Sequence, residues 1–477
     1  MNPDVYIPSR RQMLQSVSAG FGFLAFAGLS TMEAAKAAAQ AAKATGAVGP
    51  LAPKAPHFPG KAKRVIFLCM RGGPSHIDTF DYKPELIRRN GEQSPRRGKL
   101  LKSPWKFKQH GESGLYISDL FPNIANHADE LCLLRGMHCD QPNHPEAVTQ
   151  MHTGTSQFVR PSLGSWTLYG LGTENQSMPG FVAINPPRGS GSAFGSAFLP
   201  SVYQGTGISA GGNRGGGNAA RARLNGTNAQ DAMPDIKNSD LSKTEQAHQL
   251  QMIQALNRLS AEREQKHAGM EGVIQSYELA FKMQDAVPDI MDISNESKKT
   301  LDLYGIDEEP TNAFGRQCLL ARRMAEAGVR FIEVSHSNWD HHANLTQALP
   351  NLCGQTDKPI AGLLADLKSR GMLDDTLVIW AGEFGRTPDA PNGNGRDHNN
   401  RGYTTWMAGG GVKGGFSYGS TDDFGYEAVD GKVHIHDWHA TILHLMGLDH
   451  EQLTYKYAGR DFRLTDVHGQ VVKEILT

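Results

Sequence analysis

Six apolar residues in a row, Val65-Ile66-Phe67-Leu68-Cys69-Met70, stop at Arg71-Gly72-Gly73-Pro74. Successive side chains of a strand point to opposite faces, so a run without polar alternation must be covered on both. Such strands belong to parallel-type sheets, and the glycines mark the loop that follows. Shorter strand-like runs follow along the chain. Leu131 to Arg135, Val329 to Val334, Leu377 to Trp380 and Thr404 to Ala408 read as further strands. Between them the spacing predicts helices over Pro145–Met151, Asn295–Tyr304, Ala313–Glu326, Pro359–Arg370 and Ala440–Met446. Ser242 with Glu245 forms a capping-box pattern ahead of Leu250, Ile253, Leu256 and Leu259 at helical spacing. Alternating strands and helices predict an α/β fold, a three-layer α/β/α sandwich with a largely parallel central sheet.

The 39% hydrophobic content of this 477-residue chain is enough for a sizeable core. A formal net charge of −1 provides no field to gather nucleic acid or an anionic membrane, so neither is an expected partner. The five cysteines include no CxxC pair and read as small buried hydrophobes, although Cys132 and Cys139 are near enough in sequence to bridge.

Ser9-Arg10-Arg11-Gln12-Met13-Leu14 matches a twin-arginine export pattern. The apolar stretch from Val17 to Leu29 is short for a membrane span, and the Ala-rich run to Ala44 offers small-residue cleavage sites such as Ala35-Lys36-Ala37. Residues 1–44 are therefore expected to be a signal peptide and 45–62 a linker, with one α/β domain over 63–477. The mature protein would be periplasmic or secreted, without a stable membrane span. Within the domain, the Gly-, Ser- and Asn-rich stretch at about 188–235 reads as a loop excursion, and about 240–327 as a helical segment.

Acid and histidine residues gather just after predicted strands or at helix starts: His76-Ile77-Asp78, Asp340-His341-His342, Asp397-His398 and His436-Asp437-Trp438-His439, with Glu383 at another strand end. In open α/β sheets, sites form outside the carboxyl ends of strands, so these loops can converge. Imidazole and carboxylate together suit one or two divalent ions, with zinc, manganese and calcium as candidates. The expected ligands are Asp78, Asp340, His342, Glu383, Asp397, His398 and His439. Asp437 also suits the N-cap of the helix it precedes. Arg386 and Arg396 are placed to bind a sulfate or phosphate oxygen, or to pair with carboxylates. Trp166, Tyr169 and Trp406 read as core or pocket wall.

Asp374 to Gly385 resembles the sulfatase segment in which a strand ends on a metal-binding Asp-His-Gly, with Glu383 and Phe384 at the first two of those positions. Asp437 to Leu448 resembles the stretch after the last sulfatase catalytic loop. More closely, Arg71 to Asp81, Asn143 to Ala147 with Thr153-Gly154, and Gly459 to Asp466 resemble the domain-of-unknown-function 1501 (DUF1501) family. That resemblance implies the architecture of the alkaline phosphatase and sulfatase superfamily and a metal site. It also implies hydrolysis of a sulfate or phosphate ester, small-molecule or polysaccharide.

One departure bears on mechanism. Sulfatases open the helix that ends in Thr-Gly with Cys/Ser-x-Pro-x-Arg, a pattern absent from this chain; Asn143-His144 stands there instead. The expected chemistry is attack by water that the ion activates, with His144 as the catalytic residue: direct nucleophile, general acid–base, or metal ligand. Ser75 and Thr153 are further hydroxyl candidates. The competing expectation is a non-catalytic envelope protein that binds or scaffolds on the same fold. Oligomeric state is not legible.

Overall fold

The computed structural model describes residues 50–175, 177–187, 191–210, 241–263, 278–281, 283–284 and 287–477. The expected export signal and the glycine run at 211–217 lie outside them. One compact unit runs from residue 50 to 237 and from 279 to 477; a second includes residues 238–278. In the second, helix α3 (Lys243–Arg263) starts with the capping box read from the sequence: Glu245 N–H donates to Ser242 Oγ at 3.3 Å, and Ser242 N–H to Glu245 Oε2 at 2.7 Å.

The first unit is built on a nine-stranded mixed, largely parallel sheet. Its strands are β1 (Arg64–Met70), β2 (Leu131–His138), β3 (Phe181–Ile184), β4 (Thr206–Ile208), β5 (Phe331–His336), β6 (Thr376–Ala381), β7 (Tyr403–Ala408), β8 (Phe416–Tyr418) and β9 (Val433–His434). The order is β8-β2-β7-β6-β1-β5-β3-β4, with β9 also against β2, and only β7 runs antiparallel to its neighbours. Val65, Phe67 and Cys69 of β1 face one apolar cluster, Ile66, Leu68 and Met70 the other. Helices α4 (Asn312–Glu326) and α5 (Leu345–Ser369) cover the second face. The first face is covered by α1 (His144–Thr153), α2 (Leu163–Leu171) and α6 (Ile435–Leu445). The layers are α/β/α, and a strand apolar on both sides is what that arrangement requires.

Register sets where the loops emerge. Met70 pairs with His336 and Cys69 with Ala381, so β1, β5 and β6 end at one edge. Because β7 is antiparallel to both β6 and β2, β2 also ends there and delivers the chain to α1.

Several sequence expectations are corrected. The segment read as a linker is tied to the body from Pro50 on: Lys54 N–H donates to Leu171 O, and His57 and Lys61 to Gly447 and Leu445, all at 2.9 Å. Within the expected loop excursion, Thr206–Ile208 forms the edge strand β4. Helix α5 begins at Leu345, not Pro359, because Leu345, Leu349, Leu352 and Cys353 continue the buried stripe of Ile360, Leu363, Leu364 and Leu367 through Pro350 and Pro359. Asp437 is not the N-cap of α6 but its third residue. Its carboxylate accepts from His434 N–H at 2.9 Å and Gln470 N–H at 2.7 Å, and His434 is the cap. The five cysteines are buried free thiols.

Candidate metal centre

The β1, β5 and β6 ends and the α1 start bring together His144, Asp340, His342, Glu383, Asp397 and His398. Close backbone approach makes this possible. At Gly72, with φ +112°, a Cβ would lie 2.7 Å from Trp339 N and 2.8 Å from Asp340 N. A Cβ at Gly395 would lie 2.0 Å from His342 O. Glycine at these two positions lets the Asp340–His342 loop fit between its neighbours.

Each imidazole is held by its Nδ1. His144 Nδ1 lies 2.6 Å from Glu383 Oε1, and that carboxylate also accepts from Gly72 N–H at 2.9 and 3.1 Å. His342 Nδ1 lies 3.1 Å from Asp397 Oδ1, and His398 Nδ1 2.6 Å from Pro142 O. Carboxylates and carbonyls only accept, so Nδ1 carries the hydrogen in all three rings and a neutral ring keeps its lone pair on Nε2. The three Nε2 atoms surround Asp340. His144 Nε2 is 3.3 Å from its Oδ2, while His342 Nε2 and His398 Nε2 are 3.1 and 3.5 Å from its Oδ1. His342 and His398 bring their Nε2 atoms within 2.9 Å of each other. Two lone pairs so close, facing a carboxylate, call for a cation among them, and the buried His144 Nε2 has no hydrogen-bond partner. His144, Asp340 and His398 each offer a donor atom within 4.8 Å of the others. His144, Asp340 and His398 fit a metal ion held by two imidazoles and one carboxylate, and His342 stands beside them against His398.

Electrostatics favours the ligating forms. Burial alone would raise the Asp340 carboxyl, but Arg386, His144 and His342 hold it below its ordinary value. Burial, with Arg386 and His144 adding to it, lowers His398, keeping that ring neutral. Phe384 packs its ring 4.8 Å from His144 and 4.6 Å from His398, walling one side. Exposure rises from 1% at the Glu383 side chain to 41% at Asp340, so the cluster opens to solvent on the Asp340 side.

Four of the predicted site residues take other positions. Asp78 is not at the cluster: fully buried Arg396 grips its two oxygens at 2.6 and 3.0 Å, and Ser75 Oγ donates to it at 2.5 Å. Arg396 is thereby removed from substrate binding. Arg386, 1% exposed, donates to Gly73 O at 2.9 Å, Arg396 O at 3.2 Å, Gly72 O and Asp340 Oδ1. It buckles the three loops together and is not free to read a substrate. His439 is wholly buried, its Nε2 2.7 Å from Met151 O on α1; burial pulls its pKa down to about 3. Glu383 and Asp397 do belong to the cluster, but they orient His144 and His342. What sequence reasoning missed is the Pro142 carbonyl, a backbone group with no side-chain signal; His144, which the sequence left open between nucleophile, acid–base and ligand, stands with its Nε2 facing Asp340.

The family model described as Protein of unknown function (DUF1501) matches residues 62–476. Among curated proteins, none is similar enough in sequence to count as a relative. Solved structures similar to this chain include Ps i-CgsB, with 12% identity, a TM-score of 0.37, and coverage of 81% of this chain and 72% of that one. The PsFucS1 sulfatase from Pseudoalteromonas sp. has 13% identity, a TM-score of 0.34 and coverage of 82% and 68%. TAB5 alkaline phosphatase has 12% identity, a TM-score of 0.30 and coverage of 73% and 92%.

Proposed function

This chain belongs to the DUF1501 family, and from that premise and the geometry of its cluster we propose that it is an exported, metal-dependent hydrolase of sulfate or phosphate esters that uses no side-chain nucleophile. The observation that carries the reading is the set of three Nε2 lone pairs turned on Asp340 at a mouth open to solvent. His144, His398 and Asp340 would hold the ion, with His342 beside them. Imidazole nitrogens beside a carboxylate suit zinc or manganese better than calcium, which takes six to eight oxygens. When bound, such an ion lowers the pKa of water toward neutrality and draws the anionic oxygens of an ester.

The chain's own groups do the rest. Glu383 and Asp397 fix the tautomers and aim of His144 and His342, the Pro142 carbonyl does the same for His398, and Arg386 holds Asp340 ionised. The hydroxyls considered as nucleophiles are engaged elsewhere. Ser75 Oγ donates to Asp78, and Thr153 Oγ to Thr149 O at 2.8 Å within α1. This supports attack by water. One observation favours the non-catalytic alternative: Arg386 and Arg396, the arginines expected to grip an anionic ester, are both committed to buried contacts.

Element analysis of full-length protein purified without chelator, with a panel of aryl and sugar sulfates and phosphates, decides between them. The expected result is turnover, and an ion content that falls by one equivalent when His342→Ala and His398→Ala are combined. Bound ion without turnover of any ester would support the binding role; no ion at the cluster defeats both metal readings. Export rests on Arg10 and Arg11, so replacing both with lysine should leave precursor in the cytoplasm, and undiminished export would remove that part of the proposal. Among the described residues no helix is long and apolar enough to cross a membrane.

A further inference from the structure

We infer that Cys69, His152 and Glu333 form a second metal site, closed to solvent, that takes a zinc-class ion. The three come from β1, α1 and β5 and meet on the sheet face covered by α1. Phe67 pairs with Glu333 and Cys69 with Ser335, so Glu333 points to the same face as Phe67 and Cys69, and His152 reaches down from the helix above. Their donor atoms lie within 4.8 Å of one another, and exposure is 0% at Cys69, 3% at His152 and 2% at Glu333.

The hydrogen-bond pattern asks for a cation. His152 Nδ1 lies 2.8 Å from Val148 O, which only accepts, so Nδ1 carries the hydrogen and Nε2 has the lone pair. That lone pair faces Glu333 Oε2 at 3.2 Å. Both atoms are buried and lack a hydrogen-bond partner, while Glu333 Oε1 accepts from Ser335 Oγ at 3.1 Å. Two lone pairs opposed in an apolar interior repel unless a positive charge sits between them. A shared proton would satisfy His152 and Glu333 but gives Cys69 no role. A divalent ion uses all three donors, and its charge cancels a thiolate and a carboxylate, leaving the interior neutral. Thiolate, imidazole and carboxylate together are a zinc-type donor set, and the softer sulfur separates this site from the open cluster, which has none.

The test uses full-length protein produced with zinc and purified without chelator. X-ray absorption at the zinc edge should show a sulfur neighbour at about 2.3 Å. Cobalt-substituted protein should show the ultraviolet thiolate-to-cobalt absorption. Cys69→Ser should lose both signals and one equivalent of metal. The combined His342→Ala and His398→Ala variant, which empties the open cluster, should keep them. Zinc bound without sulfur in the unsubstituted protein would overturn the inference, even if Cys69→Ser fails to fold. Sulfur that persists in Cys69→Ser would assign the thiolate to another cysteine and overturn it equally.

Discussion

Two of the roles open to His144, acid–base residue and metal ligand, differ in one measurable quantity, the ion. An acid–base residue can be removed with the metal retained, whereas the geometry has His144 Nε2 facing Asp340 beside two other imidazoles. His144→Ala is therefore expected to lower ion affinity together with activity. Glu383→Gln, which touches the ion only through His144, is expected to weaken binding about 10–100-fold. Titration of both variants with Mn²⁺ checks this; unchanged affinity in His144→Ala would return the residue to an acid–base role. Which carboxylates bind and which orient was not legible in the sequence. Glu383 and Asp397 follow strands or precede histidines just as Asp340 does, and only the tertiary placement of each imidazole Nδ1 separates them. His76 shows a second effect at this scale. Its Nε2 lies 3.0 Å from Gly425 O and its Nδ1 accepts from Arg386 N–H at 3.4 Å, an arrangement for the neutral ring. Burial first, and then Lys83 and Arg396, lower its pKa to about 4 against Asp81. Between its ordinary value of about 6.5 and that value, the unfolded chain takes up a proton that the folded one refuses, so stability falls as pH drops through this window. Urea midpoints from pH 7 to 4.5 should decline less steeply for His76→Gln than for the unsubstituted chain.

At the scale of elements, apolar runs were the reliable signal: β1, β2 and β6 contain unbroken apolar stretches, and β5 and β7 lie where shorter strand-like runs stand. What escaped was local structure determined from outside. Thr206–Ile208 has no apolar run and is a strand because β3 offers it an open edge. In α5, Pro350 and Pro359 argue against a continuous helix, and only burial against the sheet overrides them. That burial makes α5 a sensitive element. Leu363 is 0% exposed within the cluster formed by α4, α5 and the sheet. Leu363→Ala should cost about 2–5 kcal/mol through lost transfer energy and a cavity. Leu303, 37% exposed at the end of a neighbouring short helix, serves as the control, and its alanine variant should cost less than about 1 kcal/mol. Chemical denaturation of the two variants makes the comparison; equal losses would mean α5 is not held by its buried stripe.

For the whole molecule, the open cluster exists only when distant segments are in place. His144 precedes Asp340 by 196 residues and His398 by 254, and their meeting depends on β1, β5 and β6 ending at one sheet edge. An unfolded chain cannot hold those donors together, so an ion bound there stabilises the folded state by linkage. With free ion at about a hundred times Kd the gain is about 2.7 kcal/mol, and at about a thousand times it is about 4.1 kcal/mol. Mn²⁺ added to chelator-treated protein should therefore raise Tm with the logarithm of its concentration. The combined His342→Ala and His398→Ala variant should lose that slope while keeping its cooperative transition, because its core clusters are untouched. A slope that survives in the variant would place the stabilising ion elsewhere. Cys69→Ser then separates the two sites: if the closed site holds the Mn²⁺-responsive ion, that substitution abolishes the slope, and if the open cluster does, the slope remains on a lower baseline Tm.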